Sequence, residues 1–381
     1  MELLQEALSL LTRMVAVPSV EGQEKAMGDL VADYTEKLGM TVERQVVEGD
    51  RFNVIARATI GKGGKTVVLN SHMDVVPPAD GWNTDPYVLT RGEDRAYGRG
   101  ATDAKGCLTA LLMAAKRIIE NPGETNGNLI VAAVVDEETY SKGARFLTEH
   151  TDLKADYAIV GEPTNCRVGL GHNGSIRPVI VIHGKTAHSS TPEKGISSVR
   201  VAAYLSGLVD KIQEGLHEIT HPSTGKPSIS ITMLKAGVKE NVLPDWCELI
   251  LDRRMIPGED EKEVIRTFEK LCADTEAAFP GAKVEIERYL VTTGPASAVS
   301  PDSEIAQIAY EACEQVTGVE QTPYGVICNT DMNHFMRKGI PTIIIGPGNI
   351  DYCHKPNEYI EYKELETACL VDEQVIRALL H

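Results

Sequence analysis

Lys65-Thr66-Val67-Val68-Leu69-Asn70-Ser71-His72-Met73-Asp74, residues 65–74, decides the fold. The apolar run predicts a buried strand over Lys65–Asn70, and a histidine and an aspartate follow it at once. The same succession recurs downstream. Leu129–Val135, the longest unbroken apolar run in the chain, leads into Asp136-Glu137-Glu138, and Tyr157–Val160 leads into Gly161-Glu162-Pro163-Thr164. Between them, Asp103 stands just before a helical pattern over Ala104–Glu120. Continuous apolar strands alternating with helices predict an α/β fold, a mostly parallel sheet with helices on both faces. In such a sheet ligands collect at the carboxyl ends of the strands, so these segments are expected to converge.

Working outward, Leu4, Leu8, Leu11 and Val15 share one helix face stopped by Pro18, and a second helix is expected from about Gly22 to Gly39. Strands are expected at Thr41–Val47 and Asn53–Ala58, with the turn Gly61-Lys62-Gly63-Gly64 before residue 65. Towards the C-terminus, Ser303–Val316, Met332–Lys338 and Lys363 onward read as helices around a strand at Thr342–Ile345. The middle has another rhythm. Strand, helix, two strands, helix and strand follow one another from Arg177 to Leu290, the βαββαβ order of ferredoxin-like units. We therefore expect a discontinuous domain of residues 1–175 and 292–381 interrupted by an inserted domain of residues 176–291.

Composition narrows the function. The 381 residues carry 38 Lys plus Arg against 55 Asp plus Glu, a formal charge of −17. So acidic a surface repels phosphate backbones, which argues against nucleic acid as a partner. The longest apolar run is far short of the roughly 18 residues that cross a bilayer, so no membrane is expected. Glu2 and Glu6, with no basic segment, argue against a secretory signal. The eight cysteines are scattered without a CxxC pair, which reads as reduced thiols in a cytoplasmic protein.

One histidine and at least four carboxylates at one strand edge cannot all be charged in a partly dry site without cations. Two divalent metals resolve the conflict, and imidazole plus carboxylate without thiolate suits zinc, with cobalt or manganese as substitutes. In His72-Met73-Asp74 the aspartate can accept the second imidazole N–H and fix the tautomer of a ligating histidine. Taken singly, each signal has a plainer reading: Asp103 as a helix N-cap, Gly-Glu-Pro-Thr as a turn.

Taken together, these segments resemble the M20 metallopeptidase superfamily, in the branch of acetylornithine deacetylase and succinyl-diaminopimelate desuccinylase. The resemblance runs through Ser71–Pro77, Tyr97–Gly106, Asp136–Glu138, Gly161–Thr164, Gly184–Ser189, Asp252–Gly258, Gly346–Gly348 and Cys353–Glu358. It implies a zinc-exopeptidase-like catalytic domain with an inserted lid and dimerisation domain. His72, Asp103 and Glu162 would hold one metal and Asp103, Glu138 and His354 the other, most simply Zn²⁺, with Co²⁺ possible. Asp74 would orient His72, and Glu137 would be the general base toward a metal-activated water. His188, from the inserted domain and often supplied across a homodimer, would join the catalytic set. Arg254 would pair with a substrate carboxylate, Asn241 would add a polar contact, and Gly325 and Gly348 would line the pocket. The implied reaction removes an N-acyl group from a small amino acid, as acetylornithine deacetylase does; the alternative is a dipeptidase or carboxypeptidase of the same superfamily. Two departures stand out: Ser71 replaces a commoner glycine, and Cys328-Asn329-Thr330-Asp331 replaces a glycine-rich pattern. The remaining histidines (His150, His172, His183, His217, His221, His334 and His381) are expected to be surface or structural.

Overall fold

The structure is a computed structural model that describes residues 2–381. Along the first part of the chain the main elements are α1 (Glu2–Val15), α2 (Lys25–Lys37), β1 (Thr41–Glu48), β2 (Arg51–Ile60) and β3 (Thr66–His72). Then come α3 (Lys105–Glu120), β4 (Gly127–Val134), α4 (Lys142–Glu149) and β5 (Tyr157–Val160). The middle holds β6 (Gly174–His183), α5 (Ser198–Leu216), β7 (Ser228–Ala236), β8 (Trp246–Met255), α6 (Glu261–Ala278) and β9 (Lys283–Leu290). The chain closes with α7 (Glu304–Thr317), α8 (Met332–Arg337), β10 (Thr342–Ile344) and α9 (Tyr362–Leu379).

Two compact units result. One contains the chain through Gly171 together with Ala298–Val326 and Thr330–His381; the other is His172–Ser297 with Ile327–Asn329. The first is built on a six-stranded sheet of order β1-β2-β4-β3-β5-β10. Its four strands β4, β3, β5 and β10 are parallel, and the β1–β2 hairpin adds an antiparallel edge. Tyr157–Val160 is buried throughout, as expected of a strand covered on both faces. Register fixes the chemistry to come. His72 lies opposite Val134, two residues before Asp136, and Asn70 lies opposite Val160, two residues before Glu162. The polar segments after β3, β4 and β5 therefore leave the sheet at one edge.

Helix α3 packs on α1, α9 and β3, and its first eleven residues, Lys105 to Ala115, are all buried. Gly106 permits this start: a Cβ there would meet the Ala101 carbonyl oxygen at 2.2 Å. Ala104, not Asp103, is the N-cap of α3, and no side chain caps the helix, so Asp103 is not committed to capping.

The second unit is a four-stranded antiparallel sheet of order β7-β8-β6-β9 with α5 and α6 packed against it. β8 alternates strictly between buried and part-exposed residues from Cys247 to Met255, the mark of a sheet with one wet face. Its core gathers Ile180, Val201, Leu205, Leu249, Leu251 and Phe268. Both helices begin on capping side chains: Ser197 accepts the Arg200 amide and Asp260 the Lys262 amide. No helix among the described residues is long and apolar enough to cross a membrane.

Candidate metal centre at the carboxyl end of the sheet

His72 ends β3 with its ring buried. Its Nδ1 lies 3.0 Å from the Asp74 carbonyl oxygen, which leaves Nε2 facing Asp103 Oδ1 at 3.2 Å and Glu162 Oε1 at 3.9 Å. The Asp74 carboxylate is 3.6 Å from Nδ1, beyond hydrogen-bond range, and its oxygens instead accept the backbone amides of Glu137 (3.2 Å) and Glu138 (3.0 Å). Asp74 thus turns the imidazole with its main chain and holds the acidic turn with its side chain. On the far side of Asp103, Oδ2 is 3.3 Å from His354 Nε2, which also lies 2.9 Å from Glu138 Oε2. His72, Asp103, Glu138, Glu162 and His354 therefore form one contiguous cluster, with Glu137 against it. Two groups of three residues have ligand atoms close enough to share an ion, His72-Glu137-Glu162 and His72-Asp103-Glu138.

The electrostatics suit a cation. Burial pushes Glu137 and Glu162 well above the usual carboxyl range and Glu138 up to about 7, reinforced by the neighbouring carboxylates. Burial would also raise Asp103, but His354 and His72 on its two oxygens hold it well below the normal value. Hydrogen bonds to Asp103 and Glu138 lift His354 to about 10. Burial alone would lower His72, yet Asp103, Asp74 and Glu162 keep it well above its ordinary pKa. Glu138 Oε1 is buried with no hydrogen-bond partner, a cost that a metal ion would remove. Oxygen and imidazole donors arranged this way fit one or two divalent ions. Cys107 beside them is buried and pushed far up by burial, so it is a poor thiolate ligand.

Several supporting residues were given no role by the sequence, although Arg99, Asp136 and Glu358 lie in segments that carry the resemblance. Glu358 accepts the amides of Thr102 (2.8 Å) and Asp103 (3.0 Å) and pairs with buried Arg99 at 2.6 Å. Arg51 reaches Asp136, and Asp331 reaches Ser141, on either side of the Glu137-Glu138 turn. Only their tertiary partners reveal them, since an arginine opening a strand reads as an ordinary polar residue.

The other sequence candidates fall as follows. Gly348 is in the first unit at φ +91°, where a Cβ would meet Thr102 Cγ2 at 2.6 Å; Gly325 is buried in the same unit. His188, Asn241 and Arg254 belong to the second unit. His188 is exposed, and its Nδ1 accepts the Ser190 amide at 3.1 Å, leaving Nε2 as the protonated nitrogen. Arg254 grips the Asp252 carboxylate at 2.9 Å and 3.3 Å. Asn241 is part-buried, with its Oδ1 unpaired. Among the remaining histidines, His172 is wholly buried and held neutral, burial pushing it down to about 4. A broad groove at the amino ends of β3 and β4, lined by Arg57, Thr66, Asn128 and Lys154, holds none of these carboxylates.

Comparison with known proteins bears on the chain as a whole. A sequence model of peptidase family M20/M25/M40 matches residues 68–378. An acetylornithine deacetylase of Pectobacterium carotovorum subsp. carotovorum (strain PC1) is 30% identical over 98% of this chain and 98% of its own. Another acetylornithine deacetylase, from Aliivibrio salmonicida (strain LFI1238), is 32% identical over 91% of this chain and 89% of its own. Among solved structures, an aminopeptidase PepT from Bacillus cereus ATCC 10987 superposes with a TM-score of 0.83 at 20% identity, covering 99% of both chains.

Proposed function

The chain belongs to the peptidase family M20/M25/M40 and is a hydrolase of amide bonds, and from that premise we propose that it removes an N-acyl group from a small amino acid at a dinuclear metal centre. The observation that carries the reading is Asp103, whose two oxygens each face a different histidine, His72 and His354. His72, Asp103 and Glu162 would hold one ion, and Asp103, Glu138 and His354 the other, Asp103 being common to both. Zn²⁺ is the first choice for these donors and Co²⁺ the second. When bound, such ions acidify water, polarise an amide carbonyl and let the clustered carboxyl groups ionise.

Glu137 is the general base. Burial and the neighbouring carboxylates weaken its acidity, which suits a group that takes a proton from the attacking water and returns it to the leaving nitrogen. Asp74 holds the Glu137 and Glu138 amides, so the base and a ligand move as one piece. In the second unit, His188 offers a protonated Nε2 to a developing oxyanion, and Arg254 a guanidinium to the substrate carboxylate, with Asn241 as a further polar contact. Gly325 and Gly348 line the pocket as bare backbone. Homodimerisation through the second unit belongs to the same reading. It is supported by β7, an edge strand that leaves Met233 and Leu234 exposed.

The test is hydrolysis of N-acetyl-, N-succinyl- and N-carbamoyl-amino acids beside simple dipeptides, with Zn²⁺ or Co²⁺ added. Turnover of the acyl-amino acids is expected; turnover of dipeptides alone overturns the deacylase reading in favour of a peptidase. Glu137→Ala should keep two metals per chain and lose about 10²–10⁴-fold in kcat. Retention of most turnover would remove Glu137 from its role.

A further inference from the structure

Glu137 and Glu138 sit on a short loop, Asp136–Ser141, whose two ends are unusual in the same way. Asp136 (φ 72°) and Ser141 (φ 53°) are both non-glycine residues in the left-handed region. Left-handed backbone strains a residue that carries a Cβ, Ser141 more than Asp136, whose short polar side chain tolerates it; glycine would relieve both. The loop is closed on itself by the Asp136 carbonyl, which accepts the amides of Tyr140 (3.1 Å) and Ser141 (2.5 Å).

Each end is also tied by a buried charged residue from a distant part of the chain. At the first, Asp136 Oδ1 accepts from Arg51 Nη2 at 2.7 Å. Arg51 is itself gripped by Glu24, whose carboxylate is wholly buried, at 2.8 Å and 2.5 Å. At the second, Ser141 Oγ donates to Asp331 Oδ1, and His334 Nε2 donates to the same Oγ at 3.1 Å. Asp331 is buried as well. Immediately after the loop, Gly143 lets α4 begin against the sheet: a Cβ there would meet the Val135 carbonyl oxygen at 2.5 Å.

Burying a carboxylate or a guanidinium is unfavourable until pairing offsets the lost hydration. A loop needed only to join β4 to α4 could avoid both that cost and the strain with glycine or asparagine. Strain held in place by its surroundings concentrates where geometry must not vary. Here it brackets two carboxylates, one proposed as base and one as ligand. We propose that Arg51 and Asp331 are positioning residues, each fixing one end of the 136–141 loop and so the direction of Glu137 and Glu138. The inference rests on the function proposed above. Neither residue touches substrate; both act through the loop.

The experiment uses the full chain loaded with cobalt. The variants are Arg51→Met, Arg51→Lys, Asp331→Leu and Asp331→Asn, and the readouts are the Co²⁺ visible spectrum, kcat, KM and melting temperature. Arg51→Met and Asp331→Leu are expected to keep both ions, shift the cobalt bands and lower kcat by about 10–100-fold, as losses of second-layer support do, with KM nearly constant. Arg51→Lys keeps the charge without the forked geometry, so it should recover part of the loss but remain about threefold or more below wild type. Asp331→Asn keeps an acceptor for Ser141 and should recover most of it. If Arg51→Met or Asp331→Leu does not fold, its conservative partner carries the same comparison at smaller amplitude. Wild-type spectra and kcat in all four variants overturn the inference. So does a loss that follows melting temperature and is equal in Lys and Met, or in Asn and Leu. A wild-type chain that neither binds cobalt nor hydrolyses the panel overturns the underlying function and this inference with it; normal wild type with indifferent variants overturns the inference alone.

Discussion

The unit built on β6–β9 keeps most of its charge outside, buried Arg253, paired with Glu259, being the exception among its described residues. Its core is aliphatic and aromatic, and pairs such as Lys270–Asp274 and Arg266–Glu263 ride exposed on α6. In the unit built on the six-stranded sheet, charge goes inside: Glu24 and Arg51, Arg99 and Glu358, Asp74, Asp331 and Asp372 are all buried. Surface pairs contribute little and cost little, whereas buried ones are expensive and are retained for what they fix. The lesson is that one unit is stabilised mainly by apolar packing, and the other buries many more charges around a polar site.

The strongest way to break that comparison is to remove packing. Phe268 is wholly buried among Val201, Leu205 and Leu249, so Phe268→Ala should destabilise the second unit by about 3–5 kcal/mol. Hydrogen exchange should quicken in α6 and β6 while metal uptake stays normal. Unchanged exchange would show that this core is not what holds the unit.

Metal removal probes the other side. A ligand at a hundred times its dissociation constant stabilises the folded state by about 2.7 kcal/mol. A chelator should therefore lower the melting of the first unit and leave exchange in β6–β9 as it was. Equal loss in both units would contradict the division of labour.

A local effect, confined to one carboxyl group, sharpens the comparison through pH. Asp372 on α9 is buried, neither of its oxygens has a hydrogen-bond partner, and burial holds its carboxyl well above the usual value. Below the unfolded carboxyl's pKa both states carry the proton. As pH rises past it, the unfolded chain releases the proton and the folded chain retains it, so stability falls by about 1.4 kcal/mol per pH unit until the folded group also ionises. Asp372→Asn should flatten that slope, read as melting temperature between pH 5 and 8. Parallel slopes in variant and wild type would refute the assignment.

Much of the site was legible because a parallel sheet sends the residues after its strands to one edge. His72, Glu138 and Glu162 each follow an apolar run, and the register between β3, β4 and β5 aligns them. The βαββαβ order of the middle was readable for a similar reason, its periodicity being local. What could not be read was the support. Arg51 meets Asp136 across 85 residues, Ser141 meets Asp331 across 190, and Arg99 meets Glu358 across 259. Their meaning lies in pairing inside the fold, which no spacing encodes. Nor does Asp136 betray its left-handed backbone, since an aspartate after a strand is an ordinary way to end it.

Residues 327–329 have a practical consequence. Although flanked on both sides by the first unit, this tripeptide packs with the second, where Asn329 Nδ2 donates to the Gly294 carbonyl at 2.9 Å. The chain therefore crosses between the units four times, not two. A gene cut at the ends of residues 172–297 does not yield two whole modules: the excised piece lacks three residues that pack with it, and the remainder keeps those three stripped of their partners. Swapping this unit between relatives requires carrying both segments together.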